Sequence, residues 1–169
     1  LFLGKKNLFL PKNMEDVDNQ KHVVLGAPPG SREGDLDEAA AVYSSHYSGV
    51  RVSKCTAMES ESMKIFANSF YAVKIQFFNE MYAMCQKTGA DYNKVRDMIV
   101  ANGWLCPMHT EVPGTDGKLS YGGLCFPKDT SALLEHMRRL GTPHAVLEAT
   151  VSERGEMRTD RLNMVGRKA

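Results

Sequence analysis

The segment 121–129, which reads Tyr-Gly-Gly-Leu-Cys-Phe-Pro-Lys-Asp, carries residue types suited to nucleophilic chemistry. Pro127 predicts that a helix begins directly after Cys125, and the positive end of a helix stabilises a thiolate. Lys128 adds positive charge, and Asp129 would lie one helical turn from the sulfur as an acid or base. The pattern predicts an activated cysteine nucleophile. The alternative is a buried structural cysteine at a tight turn.

A second pair of polar residues, Lys64 and Asn68, lies four positions apart in a segment with helical periodicity, so both should share one face. Apolar residues such as Phe66 and Phe70 surround the pair. An ammonium and an amide on such a face could hold a developing oxyanion. The alternative is an ion pair between Lys64 and Glu61, or a partly exposed face.

Other reactive residue types stand alone in the sequence. Cys55, Cys85 and Cys106 form no C-x-x-C pair and have no histidine at zinc-finger spacing, so they are predicted to pack in the interior, and no metal site is expected. His109 is a lone loop histidine, which is usually neither a base nor a ligand. Trp104 is interpreted as packing over a substrate or closing the core.

The elements that must position these residues are predicted to be mostly helical. Short strands at 22–26 and 50–52 flank a helix at 35–47, which is typical of one crossover unit in a parallel sheet. That helix should present an apolar face of Leu36, Ala39, Ala40, Val42 and Tyr43. The later predicted helices are 59–87, 91–100 (with Asp91 as N-cap), 127–140 and 142–161, with a loop over 102–124.

The helix at 59–87 is apolar nearly all round, which indicates burial on several sides. In a chain of 169 residues this pattern predicts a subunit interface as well as a core. We therefore expect a homodimer formed through this helix.

Composition excludes several classes of protein. Apolar residues make up 43% and charged residues 24%, as in ordinary globular domains, and 21 basic against 20 acidic residues leave a net charge of +1. Nothing favours a nucleic-acid partner or an acidic membrane surface. No apolar run reaches the roughly 20 residues of a membrane helix. Unpaired cysteines favour a reducing compartment, with the cytoplasm as the expected location.

The polar motifs occur in an order that resembles the UDP-glucose 6-dehydrogenases and related nucleotide-sugar dehydrogenases. The pattern runs Glu-x-x-Lys-x-x-x-Asn at 61–68, Asn-Glu at 79–80, Gly-Ala-Asp at 89–91, Pro-Gly at 113–114 and Tyr-Gly-Gly-x-Cys-Phe-Pro-Lys-Asp at 121–129. The resemblance covers roughly residues 20–160.

The resemblance implies a fold. Family members have an N-terminal Rossmann domain that binds NAD, a central all-helical domain that dimerises, and a C-terminal domain that binds the UDP portion. By this resemblance, residues 1–56 are the end of the NAD-binding domain and 57–169 the central domain. The expected chain is thus a fragment, inactive by itself.

The resemblance also implies a reaction, the oxidation of UDP-glucose to UDP-glucuronate in two NAD-dependent steps. Cys125 would attack the aldehyde intermediate and pass through a thiohemiacetal and a thioester. Lys64 and Asn68 would stabilise the oxyanion, and Asp129 would position or activate water. The residues implied to contact the sugar nucleotide are Tyr121, Gly122, Gly123 and Lys128.

Some positions depart from the family pattern. The sequence has no Gly-x-Gly-x-x-Gly, and no residue is assigned to hold NAD. Two family glutamates are replaced in the stretch 1–5, and the loop 104–107 lacks the family arginine that reaches the partner's substrate. The alternatives are a non-catalytic dimerisation module, or a relative acting on GDP-mannose or an N-acetylated UDP-sugar. The sequence Cys-Phe-Pro-Lys-Asp favours UDP-glucose.

Overall fold

The structure, a computed structural model, describes residues 21–158. It divides into two compact units, of which the first ends at Lys64 and the second begins at Ile65. The predicted fold class is confirmed, since helices dominate and a small parallel sheet precedes them. The domain boundary predicted after residue 56 stays a prediction. The stretch 1–5, with its two replaced glutamates, lies outside the described residues.

The first unit contains a strand–helix–strand arrangement. Strand β1 spans His22–Ala27, helix α1 spans Asp35–His46 and strand β2 spans Arg51–Thr56. The strands pair in parallel over their full lengths, from His22 opposite Arg51 to Ala27 opposite Thr56. Strand β2 is therefore longer than the predicted 50–52, because its ladder with β1 continues to the end of both strands.

One predicted contact of α1 is wrong. Val42 is 58% exposed, whereas Leu36, Ala39, Ala40 and Tyr43 are half-buried. The half-buried residues follow the three- and four-residue spacing of one helix face, and Val42 falls off that face.

Helix α2 spans Ala57–Thr88 and is the longest element described. It begins two residues earlier than predicted because Thr56 and Glu59 form a capping box. The Thr56 backbone N–H donates to the Glu59 carboxylate at 2.7 Å, and the Glu59 N–H donates to the Thr56 hydroxyl at 3.2 Å. The bond from the Thr56 backbone lowers the pKa of Glu59 below its ordinary value.

The second unit contains three further helices. Helix α3 spans Tyr92–Ala101, α4 spans Phe126–Leu140 and α5 spans Ala145–Met157. Asp91 caps α3 as predicted, because its side chain accepts from two backbone N–H groups of the first turn. Residues 102–125 form no helix or strand, as predicted for 102–124.

The last helix is shorter than the predicted 142–161. Gly141 adopts a left-handed conformation that ends α4, and His144 occupies the N-cap of α5. Arg158 is extended (φ −146°, ψ 119°), so α5 ends before it. Residues beyond 158 lie outside the described chain.

The sides of α2 differ in the second unit. Phe66, Phe70, Phe77 and Met84, which we call the exposed stripe, are all more than half exposed and repeat at four and seven residues. On other faces the helix buries Asn68, Ser69, Gln76 and Asn79 beside apolar Ala72, Phe78 and Cys85. The helix is therefore buried on some sides within the chain, and a homodimer through the helix at 59–87, which would cover the exposed stripe, stays a prediction.

A small apolar cluster stabilises the far end of α2. Phe78, Cys85 and Tyr92 are buried together there, which confirms the packing role predicted for Cys85. Within residues 21–158, no helix is both long and apolar enough to span a bilayer.

Candidate active site

Cys125 occupies the N-cap of α4 and is exposed. This excludes the alternative of a buried structural cysteine. Pro127 lies in the first helical turn, as predicted. The Asp129 backbone N–H donates to the Cys125 carbonyl at 2.9 Å. Asp129 therefore follows Cys125 by one helical turn at the positive end of α4.

Asp129 is a buried carboxylate with named donors. It is 4% exposed, and it accepts a hydrogen bond from the Asn68 amide at 2.6 Å and from the Lys128 ammonium at 2.5 Å. The Lys128 side chain is 56% exposed. A buried carboxylate needs such donors, because burial without them is strongly unfavourable. The cluster therefore joins α2 to the first turn of α4.

The structure brings Asn68, Lys128 and Asp129 together within hydrogen-bond distance. Asn68 is itself buried, so the alternative of a partly exposed face is wrong for this residue. Lys64 lies on α2 one helical turn before Asn68, is half-buried, and is the last residue of the first unit.

Ser120, which precedes Tyr121, is fixed by two side chains of α2. Its hydroxyl donates to the Gln76 side-chain oxygen at 2.6 Å, and its backbone N–H donates to the Asn79 side-chain oxygen at 2.8 Å. All three residues are buried. Ser120 has φ +56°, a left-handed conformation that is unfavourable for a residue with a Cβ.

Tyr121 is buried beside Arg154 of α5. The Arg154 Nε donates to the Tyr121 carbonyl at 3.0 Å, and the guanidinium lies 5.5 Å from the centre of the phenol ring. Burial raises the pKa of Tyr121 above its ordinary value. The tyrosine is thus a neutral anchor for the chain that leads to Cys125.

The two glycines after Tyr121 serve different purposes. A Cβ on Gly122 would lie 2.2 Å from the guanidinium of Arg158, so this position has no room for a side chain. Gly123 has open space around it but a φ of +76°, which favours glycine. Arg158 is buried and pairs with Asp116, and that bond lowers the pKa of Asp116 below its ordinary value.

A cavity of about 540 Å³ lies beside this segment. Its lining includes Tyr121, Gly122, Gly123, Ser120, His109, Phe126 and Arg158. His109 lies between the rings of Tyr71 and Phe126, with centroids at 5.1 Å and 5.5 Å. Three of the predicted substrate-contact residues therefore line one cavity, while Lys128 belongs to the carboxylate cluster.

Helices α2 and α3 hold the long loop before this cavity. The Lys74 ammonium donates to the carbonyls of Cys106 and Met108 at 2.5 Å and 2.7 Å. The Tyr92 hydroxyl donates to the Thr110 carbonyl at 2.6 Å, and burial raises the pKa of Tyr92 to about 12. These contacts fix the start and middle of the loop.

Two predictions for this loop are wrong. Trp104 is 94% exposed and does not close the core, so its packing over a substrate stays a prediction. Cys106 is exposed and does not pack in the interior. Cys55 is half-buried on β2, with its thiol 3.5 Å from the Leu25 carbonyl.

Sequence reasoning missed several residues that shape the site. Asn79 was part of the recognised motif order without a role, and Ser120 gave only the signal of a small polar residue before a glycine pair. Arg158 was hidden because the last helix was predicted to continue past it.

The sequence is similar to known nucleotide-sugar dehydrogenases. The central-domain model of the UDP-glucose/GDP-mannose dehydrogenase family matches residues 58–153. Over 145 residues the chain is 28% identical to the UDP-glucose 6-dehydrogenase TuaD of Bacillus subtilis, covering 86% of this chain and 29% of that protein. It is 30% identical over 161 residues to the UDP-glucose 6-dehydrogenase of Rhizobium meliloti, covering 92% and 33%.

A solved structure shares the fold. A UDP-glucose dehydrogenase from the hyperthermophilic archaeon Pyrobaculum islandicum superposes with a TM-score of 0.67 at 27% identity, covering 85% of this chain and 31% of that chain. The chain spans about a third of the length of the relatives it matches. From its matched central domain, its motif order and this shared fold, the chain belongs to the UDP-glucose/GDP-mannose dehydrogenase family.

Proposed function

We propose that this chain is the central part of a dehydrogenase that oxidises UDP-glucose to UDP-glucuronate, with Cys125 as the nucleophile. The observation that carries this proposal is the exposed Cys125 at the start of α4, one turn before the buried pair of Asp129 and Asn68. The names of the matched relatives support UDP-glucose as the substrate.

In the addition step, the Cys125 thiolate attacks the carbonyl carbon of the sugar aldehyde. A C–S bond forms, and the carbonyl π pair moves to oxygen as the oxyanion of a thiohemiacetal. An amide has two N–H donors, so Asn68 can bind Asp129 and still donate to this oxyanion. We assign Lys64 the same role from the family resemblance.

In the final step, water adds to the carbonyl carbon of the thioester and the C–S bond breaks. The products are the carboxylate, the Cys125 thiolate and two protons. We assign Asp129 the role of orienting the water or accepting a proton, and its position one turn after Cys125 supports this role.

Oxidation of the alcohol and of the thiohemiacetal requires a hydride acceptor, which in this family is NAD. The described residues do not fit a dinucleotide. Strand β1 runs into a Pro28–Pro29 turn, β2 runs directly into α2, and the sequence has no Gly-x-Gly-x-x-Gly. The residues of this chain therefore act in addition and hydrolysis, and NAD would be held by residues outside 21–158.

We assign the cavity beside Tyr121, Gly122 and Gly123 to the sugar nucleotide, and we assign Lys128 a contact with the same ligand from the family resemblance. A UDP-sugar is the substrate class, and GDP-mannose or an N-acetylated UDP-sugar is the alternative. We place the reaction in the cytoplasm, because a thiol nucleophile must stay reduced.

The test is the alkylation rate of each cysteine in the folded chain, followed by mass spectrometry across a pH series. Cys106 is the matched control, because it is exposed like Cys125. We expect Cys125 to react roughly tenfold faster at neutral pH, since the thiolate is the reactive form. UDP-glucose should slow this reaction more than GDP-mannose does.

Equal rates and equal pH profiles for Cys125 and Cys106 would contradict a catalytic role. That result would favour the non-catalytic dimerisation module. Stronger protection by GDP-mannose would instead favour the corresponding relative.

A further inference from the structure

Ser120 lies five residues before Cys125 and directly before the cavity-lining segment 121–123. Its left-handed φ of +56° is unfavourable for a residue with a Cβ, whereas glycine adopts this conformation without strain. A buried residue keeps such a conformation only where its surroundings fix it.

Two acceptors on α2 supply that fixation. Gln76 binds the Ser120 hydroxyl and Asn79 binds its backbone N–H. These acceptors are three residues apart on α2, so they lie on neighbouring turns of one face.

The acceptors are themselves held in place. The Asn79 amide donates to the Ile75 carbonyl at 2.8 Å, and the Gln76 amide lies 3.3 Å from the Met157 sulfur. Each amide oxygen is thereby oriented toward Ser120. The conformation of Ser120 is thus determined by a rigid helix rather than by the loop that contains it.

Helix α2 also carries Asn68, the donor to Asp129. One helix therefore fixes both the carboxylate cluster and the direction in which the chain leaves Ser120. The next residue, Tyr121, is anchored to Arg154. A rotation at Ser120 would break this contact and displace the segment that ends at Cys125.

We infer that Ser120 is a positioning residue: its left-handed conformation, held by Gln76 and Asn79, directs the segment 121–123 along the cavity and aims Cys125. This inference rests on the proposed function for the role of the thiol, but not for the positioning itself.

The experiment compares Ser120→Ala with Ser120→Gly in the full chain. Both variants lose the hydroxyl bond and keep the backbone bond to Asn79, but only glycine adopts the left-handed conformation freely. We expect S120A to slow Cys125 alkylation roughly three- to tenfold at neutral pH, because the thiol is no longer held in its place at the start of α4. S120G should keep the Cys125 alkylation rate of the parent protein. Cys106 should react at the same rate in all three proteins.

A spin label on Cys125, in a background with Cys55 and Cys106 replaced by serine, gives a readout that does not depend on thiol activation. The label should be more mobile in S120A than in S120G. Ordinary reactivity of the parent Cys125 together with this mobility difference would reject the proposed function and keep the positioning role.

Equal rates of Cys125 alkylation and equal mobility of the spin label in S120A and S120G would overturn the inference. If S120A does not fold, Gln76→Leu makes the same test, because it removes the acceptor of the hydroxyl and otherwise loses only the contact with the Met157 sulfur. If Q76L leaves both the spin-label mobility and the Cys125 alkylation rate unchanged, the inference is overturned.

Discussion

The two sides of α2 in the second unit reverse the usual distribution of polar and apolar residues. The inward side presents Asn68, Gln76 and Asn79, and each of these side chains has a named hydrogen-bond partner. The outward side presents the exposed stripe of Phe66, Phe70, Phe77 and Met84. Buried polar groups with fixed partners indicate a site, whereas a row of exposed phenylalanines indicates a surface that another molecule covers.

The largest expected effect concerns the outward side. We predict that the parent chain is a homodimer through the exposed stripe and that Phe70→Glu combined with Phe77→Glu gives a monomer. Placing charges in an apolar interface removes its burial and adds a desolvation penalty. Light scattering measures the change. Val146→Glu, an exposed apolar residue on α5, is the control and should leave the dimer intact. A parent chain that is monomeric would remove the basis for this prediction.

The next effect concerns the inward side. Asn68→Ala should lower the free energy of unfolding by about 2 kcal/mol, because it removes a buried hydrogen-bond donor from the buried Asp129 carboxylate. Lys128→Ala removes the ammonium donor, which is more than half exposed, and should cost less than about 1 kcal/mol. Urea unfolding compares the two variants. Equal losses of stability in the two variants would mean that a buried donor stabilises the Asp129 carboxylate no more than an exposed donor does.

The smallest effect concerns the end of α2, where the packing is conventional and apolar. Because the pKa of Tyr92 is raised to about 12 in the folded state, its contribution to stability is complete below the unfolded pKa near 10. Stability should fall as the pH rises from there toward 12, since the unfolded chain releases this proton first. Unfolding of Tyr92→Phe should show a weaker dependence in that range. If Tyr92→Phe and the parent chain show the same dependence of stability on pH, groups other than Tyr92 cause that dependence.

Local sequence patterns predicted that the helices exist and that Cys125 lies at the start of one of them. The Pro127 signal, the four-residue spacing of Cys125 and Asp129, and the Asp91 cap are local patterns, and the structure agrees with each of them. The order of motifs along the chain is by itself enough to indicate the family.

The bonds between distant segments could not be predicted in the same way. Asn68 was expected to face a substrate, and nothing in its local pattern indicated a bond to Asp129, which lies 61 residues away. Trp104, which follows a glycine in the loop, was expected to pack over a substrate or close the core, and its local sequence did not indicate that it is exposed. The conformation of Ser120 likewise follows from acceptors more than forty residues earlier.

The glycine pair before Cys125 has a consequence for epistasis. The restriction at Gly123 comes from its own backbone, so it should persist whatever the neighbours are. The restriction at Gly122 comes from the guanidinium of Arg158, which Asp116 holds in place. A side chain at position 122 is therefore excluded only while Arg158 and Asp116 are present. Within one motif, one glycine is favoured in any genetic background, whereas the other is required only in a particular one.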